Sequence, residues 1–293
     1  LKNHLVMVLL FIALVATPIT AFAINENAGE GTKERSKVIF SQEEVTDLNE
    51  LFERAKRGQS DLKMDTILGS KRRNIPEQTL QQISSLNENP KAKLRNSNGV
   101  EAEAEALATT QLLKTIENEE GNVVNYYVTD TFFIIEEEQL HEFAMNSYIS
   151  EKDKGYSAWD STYGIRAHSR IYYDDHSTVW QDYFLMVGVE GSWKSFDRNV
   201  TLSPNYVKMG NTGYIKGSAK YTSQQIEEWF PDSLSFSYGA PSDWEPTTGG
   251  DSIGATTRVD ISGYGDNWMI VLVNNITYED SHDWDPNNPH SYD

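Results

Sequence analysis

"WDSTYGIRAHSRIYYDD", residues 159–175, alternates with a period of two. Tyr163, Ile165, Ala167, Ser169, Ile171 and Tyr173 fall on one side, and Arg166, His168 and Arg170 on the other. Successive side chains of a strand point to opposite faces, so this spacing predicts a β-strand with its apolar side on a core. The same reading puts His168 and its flanking arginines on a polar, solvent-facing side. Two cations beside an imidazole would lower its pKa and suit a general base, but most histidines so placed only face solvent.

Neighbouring stretches repeat the pattern. "ALATTQLLKTIENEEGNVVNYYVTDTFFI" (106–134) reads as two strands around a turn at Glu119–Asn122. "VWQDYFLMVGV" (179–189) reads as a more buried strand, followed by a turn at Glu190 and Gly191. "SWKSFDRNVTLSPNYVKMG" (192–210) supplies one or two more. In "IGATTRVDISG" (253–263), Ile253, Ala255, Thr257, Val259 and Ile261 share a side, and "NWMIVLVNNITY" (267–278) follows a turn as the last strand. Strands at hairpin spacing, with glycine-rich turns and little helix, predict a mainly β fold: an antiparallel β-sandwich with an N-terminal helical or mobile arm.

Four segments are expected. Residues 1–23 read as a signal peptide: Lys2 and His4 precede the apolar run Leu5–Ala16, Pro18 breaks it, and Ala21-Phe22-Ala23 offers a small-x-small site with cleavage after Ala23. The apolar run falls short of the ~20 residues of a spanning helix. Residues 24–100 read as a polar helical or mobile arm, because every Trp and Tyr lies beyond residue 125 and aromatics dominate core energetics. In it, "SQEEVTDLNELFERAKRG" (41–58) predicts a helix, with Ser41 and Glu44 as a capping box, Val45, Leu48, Phe52 and Ala55 on one face and Gly58 at the end. A weaker helix is expected from Pro76 to Pro90. Residues 54–95 carry 10 basic and 4 acidic side chains, and residues 96–150 carry 1 basic and 11 acidic. Either the basic arm folds against the acidic domain or its charges are solvated; solvation is the commoner fate of charge runs. The sandwich takes 101–280, and 281–293 form an acidic tail.

The residues "WDSTYGIRAHSRIYY", then Trp193 and "FDRNVTLSPNYVKMGNTG" (196–213), resemble an uncharacterised group of secreted β-domain proteins of Gram-positive bacteria. The likeness spans roughly residues 105–275 and implies secretion and a β domain. It carries no catalytic residue across.

Charge and composition exclude whole classes. The net charge is −19, the wrong sign for phosphate backbones or anionic lipids. No cysteine is present, which rules out disulfide staples and thiol nucleophiles, so a packed core must hold an exported fold. "HEFAM" (141–145) opens like a zinc helix, but Met145 stands where a second histidine is needed, leaving His141 an ordinary side chain. There is no nucleophile elbow and no phosphate-binding glycine loop. Asp174, Asp175 and His176 are ligand types, but adjacent turn residues rarely converge on one ion, and a polar hairpin loop is the simpler reading. Of seven tryptophans, Trp180, Trp193 and Trp268 are expected in the core, and Trp159, Trp229, Trp244 and Trp284 at its edge. Exposed indoles would otherwise suit a glycan platform.

In the tail "HDWDPNNPHSYD" (282–293), Asp283, Asp285 and Asn287 sit at positions 1, 3 and 5 of a calcium loop. The position-12 glutamate is missing, so weak calcium binding is the most these residues offer, with a solvated acidic end as the alternative. No cofactor is expected otherwise. The functional expectation is a secreted, extracellular, non-enzymatic binding or interaction protein, with an extracellular or cell-envelope ligand or protein as partner, no nucleic acid, and no transmembrane segment in the mature chain. The alternatives are a secreted hydrolase with dispersed catalytic residues, or a proprotein releasing a toxin-like or signalling β domain.

Overall fold

In a computed structural model of the chain, the described residues are 36–61, 91–97, 99, 101–137, 139–140, 164–178, 180–248 and 253–276, all within one compact unit beginning at Glu34. Ala23, the Pro76 helix, His141, Asp283, Asp285 and Asn287 lie outside them.

Two six-stranded sheets make the sandwich. The first runs in the order β1 (Lys37–Ser41), β4 (Leu107–Glu117), β5 (Val123–Ile135), β6 (Ile165–Asp175), β7 (Phe184–Ser195), β12 (Ser235–Gly239). The second runs β11 (Ile226–Trp229), β8 (Val200–Asn211), β13 (Ile253–Gly263), β14 (Asp266–Asn275), β2 (Lys91–Asn96), β3 (Glu101–Glu105). A short ribbon pairs β9 (Gly213–Tyr214) with β10 (Tyr221–Thr222). Every pairing within the two sheets is antiparallel. The predicted fold class is therefore the observed one.

Alternation builds the core. Phe133 and Ile135 of β5, Ile165, Ala167 and Ile171 of β6, and Val189 and Trp193 of β7 meet Val259 and Ile261 of β13 and Ile270 and Leu272 of β14. Removing this apolar surface from water is the main drive for the two sheets to stack. Buried polar ties link the sheets: the Asn274 amide donates to the carbonyls of Ser169 (2.9 Å) and Thr129 (3.2 Å), and the Met186 amide donates to Asn211 Oδ1 (3.1 Å). The outer strands close on each other through Trp229 of β11 and Tyr238 of β12, whose rings stack 4.6 Å apart and nearly parallel. At the entry to β6, Gly164 has φ +65°, and a Cβ there would lie 1.9 Å from the Ile135 carbonyl oxygen, so only glycine fits.

The described residues 36–61 and 91–97 pair and pack within this unit. β2 is an interior strand, paired with β14 on one side and β3 on the other, and its Ala92 and Leu94 enter the core. Arg95 of β2 lies 3.8 Å from Glu101 of β3, an opposite-charge cross-strand pair. The helix also forms, as α1 (Leu48–Lys56), later than the capping box implies. Asp47 is its cap and accepts from the Glu50 amide at 2.9 Å. Ser41 belongs to β1 instead. Gly58 ends the helix at φ +61°, donating to the Ala55 carbonyl.

Helix α1 covers the outer face of the first sheet. Leu51, Phe52 and Ala55 pack on Phe132 and Ile134 of β5, with Val45, Leu48 and Leu107 around them. Polar clamps fix the segment 42–61 across β4. Gln111 holds both backbone groups of Val45 (2.9 and 3.1 Å), Thr109 donates to the Gln59 carbonyl (2.8 Å), and Gln42 donates to the Leu112 carbonyl (2.6 Å). We refer to residues 42–61 as the strap.

Candidate binding surface and a buried polar network

The strap changes what the polar side of β6 means. His168 is 5% exposed and Arg170 3% exposed, which overturns the solvent-facing reading. The strap supplies the cover, from residues remote in sequence. The register sets His168 opposite Phe132 and Arg170 opposite Asp130 of β5 and Glu190 of β7. Asp130 is fully buried and accepts from His168 Nε2 (2.7 Å), Arg170 Nε (2.7 Å) and Arg170 Nη2 (3.2 Å). Burial alone would raise its pKa; the bonds from His168 and the charge of Arg170 more than offset that and hold it below the usual carboxylate range.

The network continues into the strap. Arg170 Nη1 reaches Glu44 Oε1 at 2.9 Å and Glu190 Oε1 at 3.5 Å, and Nη2 donates to the Val45 carbonyl at 3.3 Å. The Tyr172 hydroxyl lies 3.2 Å from the same Glu44 oxygen and 3.1 Å from the same Glu190 oxygen. Burial raises the Glu44 carboxyl, against the lowering effect of Arg170. Burial and the Glu190 charge push the Tyr172 hydroxyl far above its usual range, so it stays protonated. The imidazole is packed against the Phe132 ring, centroids 5.0 Å apart. This buried His–Asp pair ties β5 to β6 by a side-chain hydrogen bond.

A different kind of surface forms where β6 turns into β7. The loop 176–183 is tightly bonded. His176 N donates to the Tyr183 carbonyl and Thr178 N to the Gln181 carbonyl, both at 2.8 Å. Thr178 Oγ1 accepts from the amides of Trp180 (3.2 Å) and Gln181 (3.1 Å), and Asp175 Oδ1 accepts from the Ser177 amide (2.8 Å). At its tip Trp180 is 91% exposed. This corrects its placement in the core: β7 begins at Phe184, and Thr178 makes a side-chain turn that the stretch "VWQDYFLMVGV" hides. Trp193 and Trp268 are buried as expected, whereas Trp244 is also buried, at 9% exposure, rather than lying at an open edge.

The β9–β10 ribbon abuts this loop. Lys216, just after β9, donates to the His176 carbonyl at 2.7 Å, and its ammonium lies 5.9 Å from the Tyr183 ring centre. Tyr214 and Tyr221 pair edge to face at 5.3 Å and are 54% and 40% exposed. Asp174 and Asp175 end β6, and His176 follows them, joined to the ribbon region through Lys216. Burial and the neighbouring Asp175 push Asp174 up to about 7. Burial and Lys216 hold His176 down to about 4. His176 Nε2 and Asp174 Oδ2 are 4.0 Å apart. Among the described residues, no three His, Asp or Glu side chains converge in a way that would hold a metal ion, and no helix is long and apolar enough to cross a membrane.

Comparison with known proteins gives no match: no family model, no curated protein and no solved structure resembles the chain.

Proposed function

We propose that the chain is an exported binding protein that acts outside the cell without chemistry of its own, and that the end formed by Trp180, Tyr214 and Tyr221 takes a neutral, hydroxyl-rich ligand of the envelope-polysaccharide kind. The observation that carries this reading is Trp180, an almost fully exposed indole on a loop held by its own hydrogen bonds. Exposed Trp and Tyr side chains are enriched at interaction surfaces, and a loop already ordered loses little entropy on binding. Flat aromatic faces suit the apolar faces of sugar rings, and the adjoining Ser177, Thr178, Gln181 and Lys216 supply hydroxyl, amide and ammonium partners. The net charge of −19 repels polyanions. Against a hydrolase stands the burial of the His168–Asp130 pair.

Trp180→Ala will leave thermal unfolding unchanged within about 0.5 kcal/mol, as for surface substitutions, and will weaken binding to its polysaccharide roughly tenfold, the equivalent of about 1.4 kcal/mol. Affinity electrophoresis through neutral, amino-bearing and acidic polysaccharides, with wild type, Trp180→Ala and Tyr214→Ala/Tyr221→Ala, reads this out. Retardation by none of the polymers, or equal retardation of all three proteins, defeats the reading.

A further inference from the structure

We propose that the strap is a proton-coupled latch: a proton on Glu44 completes its hydrogen bonding with Tyr172 beside Glu190 of β7, so that residues 42–61 are held tightly when Glu44 carries that proton and loosen when it is charged. The geometry behind this is a mismatch between donors and acceptors. Tyr172 has one hydroxyl proton, yet its oxygen lies 3.2 Å from Glu44 Oε1 and 3.1 Å from Glu190 Oε1. A phenol donates one hydrogen bond. With both carboxylates ionised, one of the two contacts has no proton between its oxygens. A proton on either carboxyl supplies the missing donor. Arg170 Nη1 is already shared between the same two oxygens, at 2.9 and 3.5 Å.

Charge points the same way. Glu44 faces Arg170 and Tyr172 from β6, Glu190 from β7 and, deeper, Asp130 from β5, with His168 on the far side of Asp130. Asp130, Glu44 and Glu190 are three carboxylates around one guanidinium. Asp130 stays ionised, its carboxyl held low by His168 and Arg170. The proton therefore goes to Glu44, in agreement with the upward displacement of its carboxyl through burial. A carboxyl whose pKa is raised in the closed state favours closure as pH falls through that raised value, and its cost is fully present above it.

Opening would bare the sheet face beneath α1, with Phe132 and Ile134. The segment is held by its polar clamps and by the apolar side chains of Val45, Leu48, Leu51, Phe52 and Ala55, a satellite cluster separate from the inter-sheet core, so it opens as a unit of its own. The latch thus couples outside pH to exposure of an apolar face.

Amide hydrogen exchange of the full chain between pH 5 and pH 8, corrected for intrinsic rates, tests it. The amides of α1 will be protected about threefold to tenfold more at pH 5 than at pH 8. The amides of β13 will not follow the same profile. In Glu44→Gln and, separately, Glu190→Gln, the neutral amide keeps a donor in place and the α1 profile will flatten, with strong protection retained at pH 8. Protection of α1 that is independent of pH in the wild type overturns the latch. So does an unchanged profile in both variants, or a profile for α1 identical to that of β13.

Discussion

Arg170→Leu will cost about 3–5 kcal/mol of stability, the range for removing one partner of a buried ion pair. The guanidinium touches Asp130, Glu44, Glu190 and the Val45 carbonyl at once. Without it, the Asp130 carboxylate keeps only His168 while remaining fully buried. At ~2–4 °C per kcal/mol for a unit of this size, the melting temperature will fall on the order of 10 °C. The cost will show first in the strap, since Val45 and Glu44 lose their tie to β6. Asp130→Asn in the same background removes the stranded charge, so the double variant will lose less than the two single losses added together. A double-mutant cycle by denaturant unfolding measures that coupling. Strict additivity would mean that Arg170 and Asp130 stabilise the sheet independently, contrary to the contact geometry.

Asp174→Asn will stabilise the protein at pH 8 and leave it unchanged near pH 4. Burial and Asp175 push the Asp174 carboxyl up to about 7, against ~3.9 for an unfolded chain. Below the unfolded value both states are protonated and the folded state suffers nothing. Between the two values the unfolded chain releases its proton more readily, and stability falls as pH rises. Above about 7 the penalty is complete. A pKa difference of about three corresponds to roughly 4 kcal/mol at most, and about 2–4 kcal/mol is expected after partial solvation of a side chain that is 15% exposed. His176 acts in the opposite direction: its lowered pKa destabilises the fold as pH drops from 6.5 towards 4 in both proteins. Because Asp174 lies 4.0 Å from it, the two contributions are coupled below pH 6.5, and the comparison is cleanest at pH 8, where His176 is neutral in both states. Melting curves of wild type and Asp174→Asn from pH 4 to pH 8 should diverge upward with pH. Parallel curves would mean that Asp174 titrates normally.

The inner face of the sandwich is legible in the sequence and the outer face is not. Alternation in 159–175 and 253–263 names the core side of β6 and β13 correctly, because an inner face meets another apolar face wherever it comes from. The outer side of β6 reads as polar, and polar residues ordinarily face water. Its burial depends on Glu44, Val45 and Phe52, more than a hundred residues away, and no local pattern announces such a partner. Glu190 reads only as a turn residue, and as the acidic partner of Arg170 it is invisible for the same reason. Helix α1 is legible through its apolar stripe, but its start is not: Ser41 and Glu44 mimic a capping box, and Asp47 wins because β1 pairing takes Ser41 away. Trp180 is misplaced by local pattern because apolar neighbours on one side make a loop tip look like the start of a strand. The β11 and β12 edges carry too few alternating positions to stand out.

The position of β2 has a kinetic side. Its neighbours in the sheet are β3 and β14, and it pairs with β14 through contacts such as Asn96 with Trp268 and Lys93 with Val271. These join segments near the two ends of the folded unit, so the second sheet cannot close until nearly the whole unit has been synthesised. Loop closure over such separations is entropically costly before its contacts repay it, and high contact order slows folding. A chain emerging N-terminus first can form the β2–β3 pair early, but that pair has no place in the second sheet until β14 arrives. The last hairpin, β13–β14, is what joins the early pair to β8.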